Sequence, residues 1–285
     1  MLNMVSKFSL VMATYGRYEE VDSFLKSIEE SKYNLNYVQV IIVDQNEKIS
    51  LDEIIDKYKA KFNIIHIKSK EKGLSLNRSI GLKQVTGDIV AFPDDDCEYL
   101  PETLANVDTY IKEKNCDAVM GRIVKRDGSD SLRTWPKKVI KVNTSNFYTK
   151  CSSVTIFLKK DKCRIKFNPK LGAGMYFGAC EDADLIYKNI KLKNNIIYNP
   201  DIRIYHPHYE SGKNMDDEKV YRYGVGFGAF VKSNLDINTA LLFIKAEVYH
   251  LARALIHLCT FNTKDAKKRF AAFKSRIEGF VKYEE

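Results

Sequence analysis

The chain opens with short, solid apolar runs separated by longer stretches in which apolar positions recur every three or four residues. "FSLVMAT" (8–14), "VQVIIVD" (38–44), "FNIIHI" (62–67) and "DIVAF" (88–92) are too short for helices, and the spacing predicts buried strands. Between them, "YEEVDSFLKSI" places Val21, Phe24, Leu25 and Ile28 on one helical stripe. "LDEIIDKYKA", "LSLNRSIGLKQV" and "PETLANVDTYIKE" also read as helices, the last with proline at its start. "CDAVMGRIV" closes the series as another strand. Such alternation predicts an α/β fold: a mostly parallel sheet flanked by helices, with ligands gathered at the carboxyl ends of the strands.

Beyond residue 124 the pattern changes. Residues 125–170 are mixed, with β-like runs such as "KKVIKVN" and "SSVTIFL" between turn residues. "PKLGAGMYFGACEDADLIYKNI" reads as a Gly-containing loop entering a helix, with Ala183, Ile186 and Ile190 at apolar spacing. "NIIYNPDIRIYHPHYESGKN" reads as a hairpin-like pair followed by a polar loop. From about residue 216 the pattern is helical throughout. Leu241, Ile244, Val248, Leu251, Leu255 and Leu258 form one stripe, and Ala266, Phe270, Phe273, Ile277 and Phe280 a second. There are no internal repeats and no low-complexity segments.

Charge adds a constraint. A net charge of +9 points to a polyanionic partner: nucleic acid, an anionic membrane face or a phosphorylated ligand. The clustered bases of the last helix alternate with an apolar stripe rather than with aromatics on a core face, which argues against nucleic acid. The stripes either pack on the core or form an interfacial anchor beside Lys and Arg, and one helix can do each. The six cysteines form no metal-type spacing and read as reduced, buried thiols of a cytosolic protein. The first apolar run is too short for a signal peptide, and no stretch is long enough to span a bilayer.

Two predicted strand ends carry acids. Asp44 ends one strand, Asp94, Asp95 and Asp96 follow another, and Thr14, Tyr15, Gly16 and Arg17 follow the first. Neighbouring carboxylates ~4 Å apart repel by roughly 4 kcal/mol at an effective dielectric of about 20. "PDDDC" is therefore either a solvated turn capping the next helix or a site for a hard cation such as Mg²⁺ or Mn²⁺. In "GACEDADL", Glu181 and Asp182 fall in the first turn of a helix, as plain charge complementarity or as a general base. Gly172, Gly174 and Gly178 before them allow close backbone approach to a ligand, and no P-loop follows. His206 and His208 follow a strand and can complete a metal shell; Arg78 can pair with a phosphate if it faces the strand ends.

Taken together, "FSLVMATYGRYEEVDSFLKSI", "VQVIIVDQNE", "KGLSLNRSIGLKQVTGDIVAFPDDDCEYL" and "LGAGMYFGACEDADL" resemble family 2 glycosyltransferases of the GT-A fold, over about residues 7–210. The resemblance implies a nucleotide-sugar donor (a UDP-sugar is expected), Mn²⁺ or Mg²⁺, and an inverting single displacement. By position it implies that Ala13, Thr14 and Tyr15 border the nucleobase and that Asp44 hydrogen-bonds to it. Arg17, Arg78, Asp95 and Gly174 join the donor site. Asp94 and Asp96 are the outer members of a DxD motif, with Asp96 the preferred metal ligand and His206 a late histidine for metal or diphosphate. Asp182 is the implied base, supported by Glu181. "VDQNE" stands where the family has "VDDGS", so the second aspartate is Gln45, and "SLNRSIG" replaces the commoner "ARNIG".

The expected organisation is a GT-A catalytic domain over 1–215, with a nucleotide-binding half (1–124) and an acceptor-binding half (125–215). A C-terminal amphipathic helical region (216–285) follows and is a candidate for membrane association. The expected acceptor is a glycan or a lipid-diphosphate-linked sugar in cell-surface polysaccharide synthesis, and the expected location is the cytoplasmic face of the inner membrane. A sugar nucleotidyltransferase would want a richer phosphate loop than "ATYGRYEE", which has one Gly and one Arg. A non-catalytic sugar- or nucleotide-binding protein is the other alternative, against which the three acidic sets weigh.

Overall fold

The computed structural model describes residues 5–207 and 216–284. Its strands are β1 (Phe8–Thr14), β2 (Val38–Asp44), β3 (Asn63–Lys68), β4 (Ile89–Ala91), β5 (Glu98–Tyr99), β6 (Ala118–Val124), β7 (Ile140–Lys141), β8 (Ile156–Lys159) and β9 (Ile196–Tyr205). The helices are α1 (Glu19–Glu29), α2 (Asp52–Tyr58), α3 (Leu74–Leu82), α4 (Thr103–Lys114), α5 (Glu181–Lys191), α6 (Asp217–Ser233), α7 (Ile237–Cys259) and α8 (Thr263–Lys282).

One mostly parallel sheet runs β3-β2-β1-β4-β8-β6-β9-β5, with β7 pairing β9. Every residue of β1 and β2 is buried, which is why these strands read as solid apolar runs rather than alternating ones. The register sets Thr14 opposite Asp44, so both strands deliver their last residues to the same edge. β4 joins β1 in parallel, and β8 then enters antiparallel between β4 and β6. The four stripe residues of α1 are fully buried, each contributing roughly 1.5–3 kcal/mol of hydrophobic stabilisation. Helix α3 lies close on the sheet because Gly81 has no side chain: a Cβ there would stand 2.6 Å from Val11 Cγ1.

Two expectations are corrected. The segment after residue 195 is not a hairpin-like pair: Ile196–Tyr205 is one ten-residue strand. Pro200 has no N–H for the ladder, so the pairing with β6 shifts register between Met120 and Arg122 and the strand runs on. Arg122 Nε donates to the Pro200 carbonyl at 2.8 Å, tying that irregularity down. Second, Cys259 is exposed while the other five cysteines are free and buried. The α7 stripe from Leu241 to Leu258, read as packing on the core or as an interfacial anchor, faces outward, its members 37–61% exposed. The helix packs instead through Phe243, stacked on Phe227 with ring centres 6.2 Å apart and against Phe280 at 5.3 Å.

Helix α7 begins with a capping box, Asp236 accepting from the Asn238 and Thr239 amides while Thr239 Oγ1 accepts from Asp236 N. Helices α6 and α8 meet backbone to backbone. A Cβ at Gly228 would stand 2.0 Å from the Arg276 carbonyl oxygen, and one at Gly279 2.1 Å from that of Val225. No helix among the described residues is long and apolar enough to cross a membrane.

Candidate active site

The carboxyl ends of β1, β2 and β4 converge. Asp95 Oδ2 accepts from Thr14 Oγ1 at 2.8 Å and from the Tyr15 amide at 3.4 Å, which fastens the chain after β4 to the end of β1. Burial, with Asp94 and Asp96 beside it, pushes Asp95 up to about 6 against the pull of the Thr14 hydroxyl. Asp44 is fully buried beneath this edge. Its Oδ1 accepts from the Asn46 amide at 2.8 Å, and its Oδ2 meets His66 Nε2 at 2.9 Å and Lys68 Nζ at 2.6 Å. Burial alone would raise this carboxyl; the His66 and Lys68 contacts overcome it and hold the group down at about 2. Asn46 Oδ1 accepts from Gly16 N at 2.6 Å, while its buried Nδ2 has no partner.

Asp94 and Asp96 stand with His206 in one cluster, their ligand atoms all within 4.8 Å of one another. His206 Nε2 lies 3.2 Å from Asp96 Oδ1 and 4.0 Å from Asp94 Oδ2. Burial works against a charged imidazole, yet Asp96 and Asp94 raise its pKa above the ordinary value. Asp94 is raised by burial and by the charges of Asp96 and Asp182, against the pull of Arg78 and His206. Two carboxylate oxygens and an imidazole nitrogen, close enough for the carboxylates to repel one another unless a cation lies between them, are a donor set that fits Mn²⁺ or Mg²⁺. Arg17 Nη2 approaches Asp96 Oδ2 at 3.3 Å and pairs also with Glu20.

Arg78 is fully buried beneath the cluster. Its Nη2 donates to Asp94 Oδ1 at 2.6 Å and to the Phe92 carbonyl at 3.4 Å, and its Nη1 lies 3.7 Å from Glu181 Oε1. The guanidinium thus spans the acids after β4 and the acids that open α5. Glu181 is buried as well; burial and the charge of Asp182 push it up to about 7 although Arg78 opposes the shift.

Helix α5 starts with a backbone constraint. Cys180 precedes it at φ 71°, a left-handed conformation that a side chain rarely adopts, and its Sγ lies 3.6 Å from the Tyr148 hydroxyl. The turn sets Glu181 inward toward Arg78 and leaves Asp182 partly exposed. Upstream, Gly174 (φ 84°) lies so close to Gly73 that a Cβ would stand 3.2 Å from the Gly73 Cα. The Ala173 carbonyl accepts from Leu74 N at 2.9 Å, so this loop is laced to the start of α3.

A cleft of about 1050 Å³ opens over these groups, lined by Ala13, Tyr15, Arg17 and Asp94–Asp96 on one side and by Ala173, Gly174, His206 and Lys219 on another. Gln45, Asn46 and Lys48 from the end of β2, and Ser69 to Gly73 from the end of β3, complete its rim.

The family model for Glycosyl transferase family 2 matches residues 9–177, more than half of the chain. The chain belongs to that family. Among similar proteins, the poly(ribitol-phosphate) beta-N-acetylglucosaminyltransferase TarS of Staphylococcus aureus is 27% identical over 116 residues, 40% of this chain and 20% of that protein. A dolichol-phosphate mannosyltransferase of Pyrococcus furiosus is 28% identical over 131 residues, 46% of this chain and 36% of that one. The chain therefore spans about a fifth to a third of the length of these relatives. Among solved structures, S. aureus TarS 1–349 in complex with UDP-GlcNAc superposes with a TM-score of 0.60 at 18% identity, covering 96% of this chain and 92% of that one. The mannosyltransferase PcManGT of Pyrobaculum calidifontis, in complex with GDP-Man and Mn²⁺, gives 0.63 at 16% identity, covering 95% and 87%. At such identities the likeness is one of fold, and the fold is GT-A.

For this family 2 glycosyltransferase the sequence-predicted residues outside α5 divide into two layers, while Glu181 and Asp182 at the start of α5 are not among the residues that line the cleft. Ala13, Tyr15, Arg17, Asp94, Asp95, Asp96, Gly174 and His206 line the cleft. Thr14, Asp44 and Arg78 lie fully buried behind it. Asp95 points to Thr14. His208 lies outside the described residues. The sequence reading missed His66 and Lys68, which hold Asp44, and Asn46. A signal was present for the first two: they alternate on one face of β3 and sit at the end of a strand.

Proposed function

We propose that this glycosyltransferase moves a sugar from a nucleoside-diphosphate sugar, a UDP-sugar foremost, to a hydroxyl of a glycan or lipid-linked acceptor in polysaccharide synthesis, with inversion at the anomeric carbon. One observation carries the reading: Arg78 joins the Asp94 end of the Asp94–Asp96–His206 cluster to the Glu181–Asp182 pair. Metal-binding groups and the helix start that carries the candidate base are thereby tied to the two ends of one guanidinium.

Asp94, Asp96 and His206 would hold Mn²⁺ or Mg²⁺, which when bound supplies positive charge to the diphosphate as it leaves. Asp182 takes the proton of the acceptor hydroxyl as that oxygen attacks the anomeric carbon from the face opposite the leaving group. One base and no protein nucleophile give inversion. Arg78, buried and engaged by Asp94 and lying near Glu181, acts as a positioning residue for both acidic sets rather than as a direct phosphate contact. Ala13, Tyr15 and Asn46 border the nucleobase; Asp44, held by His66 and Lys68, fixes the floor beneath it. Gly174 and Arg17 line the donor cleft, and Asp95 braces its wall.

The outward stripe of α7 supports a second element of the proposal, peripheral contact with the cytoplasmic face of a membrane. Ile244, Val248 and Leu255 are each more than half exposed, and Lys245 is exposed on the same helix. Vesicle flotation of the full chain and of an Ile244→Ser/Val248→Ser/Leu255→Ser variant tests this element; equal flotation of both would end it.

The donor reading is tested by screening nucleotide sugars for binding and slow hydrolysis, with and without Mn²⁺. One nucleotide sugar is expected to bind in a metal-dependent way. No response from any donor in either condition overturns the proposal.

A further inference from the structure

A second cleft, of about 460 Å³, lies between α6, α7 and α8 and is lined by Arg253, Lys268, Arg269 and Arg276 against one carboxylate, Asp265. Its inner wall is polar and incompletely satisfied. Arg276 is largely buried, and its Nε has no hydrogen-bond partner, standing 3.9 Å from Glu247 Oε1. The same guanidinium donates from Nη1 to the Ala272 carbonyl at 3.0 Å and lies 5.2 Å from the centre of the Phe227 ring. His250 Nδ1, on the same wall, is also buried without a partner. Buried polar nitrogens without partners are rare in folded proteins, and here they border an open cleft rather than a packed core.

The electrostatics agree with the geometry. Burial, with the charges of Arg276 and Arg269, pushes His250 down to about 3, so the imidazole is neutral and the surrounding field positive. Burial raises Glu247 to about 7 against the pull of Arg276, so at neutral pH this carboxylate offsets Arg276 only in part. Asp265 is engaged by Asn262, whose Nδ2 donates to it at 2.9 Å. Several guanidinium groups with little local counter-charge are the chemistry of a phosphate site.

Position ties this cleft to the reaction centre. Helix α6 borders both clefts: Lys219 lines the larger one, and Val220 and Tyr223 line the basic one. Burial and the charges of Glu181, Asp182 and Asp94 push the Tyr223 phenol up to about 12. The α6 backbone also packs on the loop that leads into Glu181, where a Cβ at Gly226 would stand 2.6 Å from Ala179 N.

We infer that the cleft between α6, α7 and α8 binds a phosphate group carried by the acceptor, as a phosphate ester or a diphosphate. That an acceptor carries it rests on the glycosyltransferase reading; that the cleft takes phosphate rests on the cleft alone. Arg253, Arg269 and the buried Arg276 supply the donors.

The experiment titrates the full chain with tripolyphosphate by calorimetry in metal-free buffer. Wild type is compared with Arg253→Gln/Arg269→Gln and with a control of equal charge change on α8 outside the cleft, Lys264→Gln/Lys267→Gln. The inference expects an affinity loss of about tenfold or more in the first variant and of about twofold or less in the control. Equal losses in both, no loss in the first, or loss in Asp96→Ala instead would overturn it. A parallel flotation with phosphatidylcholine vesicles containing phosphatidic acid separates the sources. Flotation lost only in the Arg253/Arg269 variant supports the site with a lipid headgroup as its ligand; flotation unchanged beside lost tripolyphosphate binding supports it with a soluble phosphoester. UDP titration with Mn²⁺ on the wild type keeps the two readings apart. Failure there with intact tripolyphosphate binding sinks the donor assignment and leaves this one standing.

Discussion

His206 Nε2 stands 3.2 Å from Asp96 Oδ1, bringing the residue just after the last strand of the sheet onto the acidic turn that follows β4. Neither residue alone suffices to hold an ion, and removal of either one should be felt in metal affinity before it is felt in fold. His206→Ala and Asp96→Ala are each expected to weaken Mn²⁺-dependent UDP binding by at least about tenfold, while leaving the urea unfolding midpoint nearly unchanged. Calorimetric titration of UDP at several Mn²⁺ concentrations reads this directly. Unaltered metal dependence in both variants would remove the cluster from consideration.

Asp182→Asn keeps the size of the side chain and removes its basicity. Transfer is expected to fall by roughly 10²–10⁴-fold, the ordinary worth of a general base, with donor affinity within about twofold of wild type. A radiolabelled-sugar transfer assay beside UDP titration separates the two quantities. Wild-type transfer by the variant would mean that another group takes the proton.

Asp44 sets a pH prediction. Its folded pKa of about 2 lies below the ordinary Asp value of about 3.9, so its pairing stabilises the fold at pH above about 4 and loses that effect as pH falls toward 2. The size is about 2 kcal/mol, kept modest because Lys68 is half exposed. Urea unfolding at pH 5 and pH 2.5 should show a wild-type loss that Asp44→Asn shows to a smaller extent. The same loss in both proteins would refute the assignment.

Arg78→Met would leave Asp94 and Glu181 facing each other's field without the cation between them. Breaking a buried charge network by removing one partner costs about 3–5 kcal/mol. Urea denaturation should show a loss of that order, and Arg78→Lys should recover only part of it because ammonium cannot reach both carboxylates as a fork. A loss below about 1 kcal/mol for Arg78→Met would mean that the network carries little of the stability.

The parts of this fold that can be read from the chain are those fixed by local pattern. β1 and β2 are buried on both faces, so every residue is constrained and their apolar runs admit one reading. The α1 stripe is equally plain, since only one of its faces is apolar. Helix α7 is different, because residues on two faces are apolar and only the position of Phe227 and Phe280 decides which one packs. Pro200 looked like a turn because its local chemistry is that of a turn; pairing with a distant strand overrode it. In the site, the types and order of the acids were readable. The direction of Arg78 and the hold of His66 and Lys68 on Asp44 were not, since each depends on a partner brought in by the sheet.

The glycines of α6 and α8 have a consequence for how this molecule comes apart. Gly228 and Gly279 let the two helix backbones touch, and Gly226 lets α6 touch the chain just before the Glu181–Asp182 pair. No flexible side chains cushion these contacts, so α8 has little freedom to loosen by degrees. Deleting it would uncover a groove in α6 shaped to receive another backbone and would undercut the loop that sets Asp182. The C-terminal helices are thus packed directly on the chain that opens the reaction centre, and point substitutions on their surfaces, rather than truncations, are the means of dissecting them.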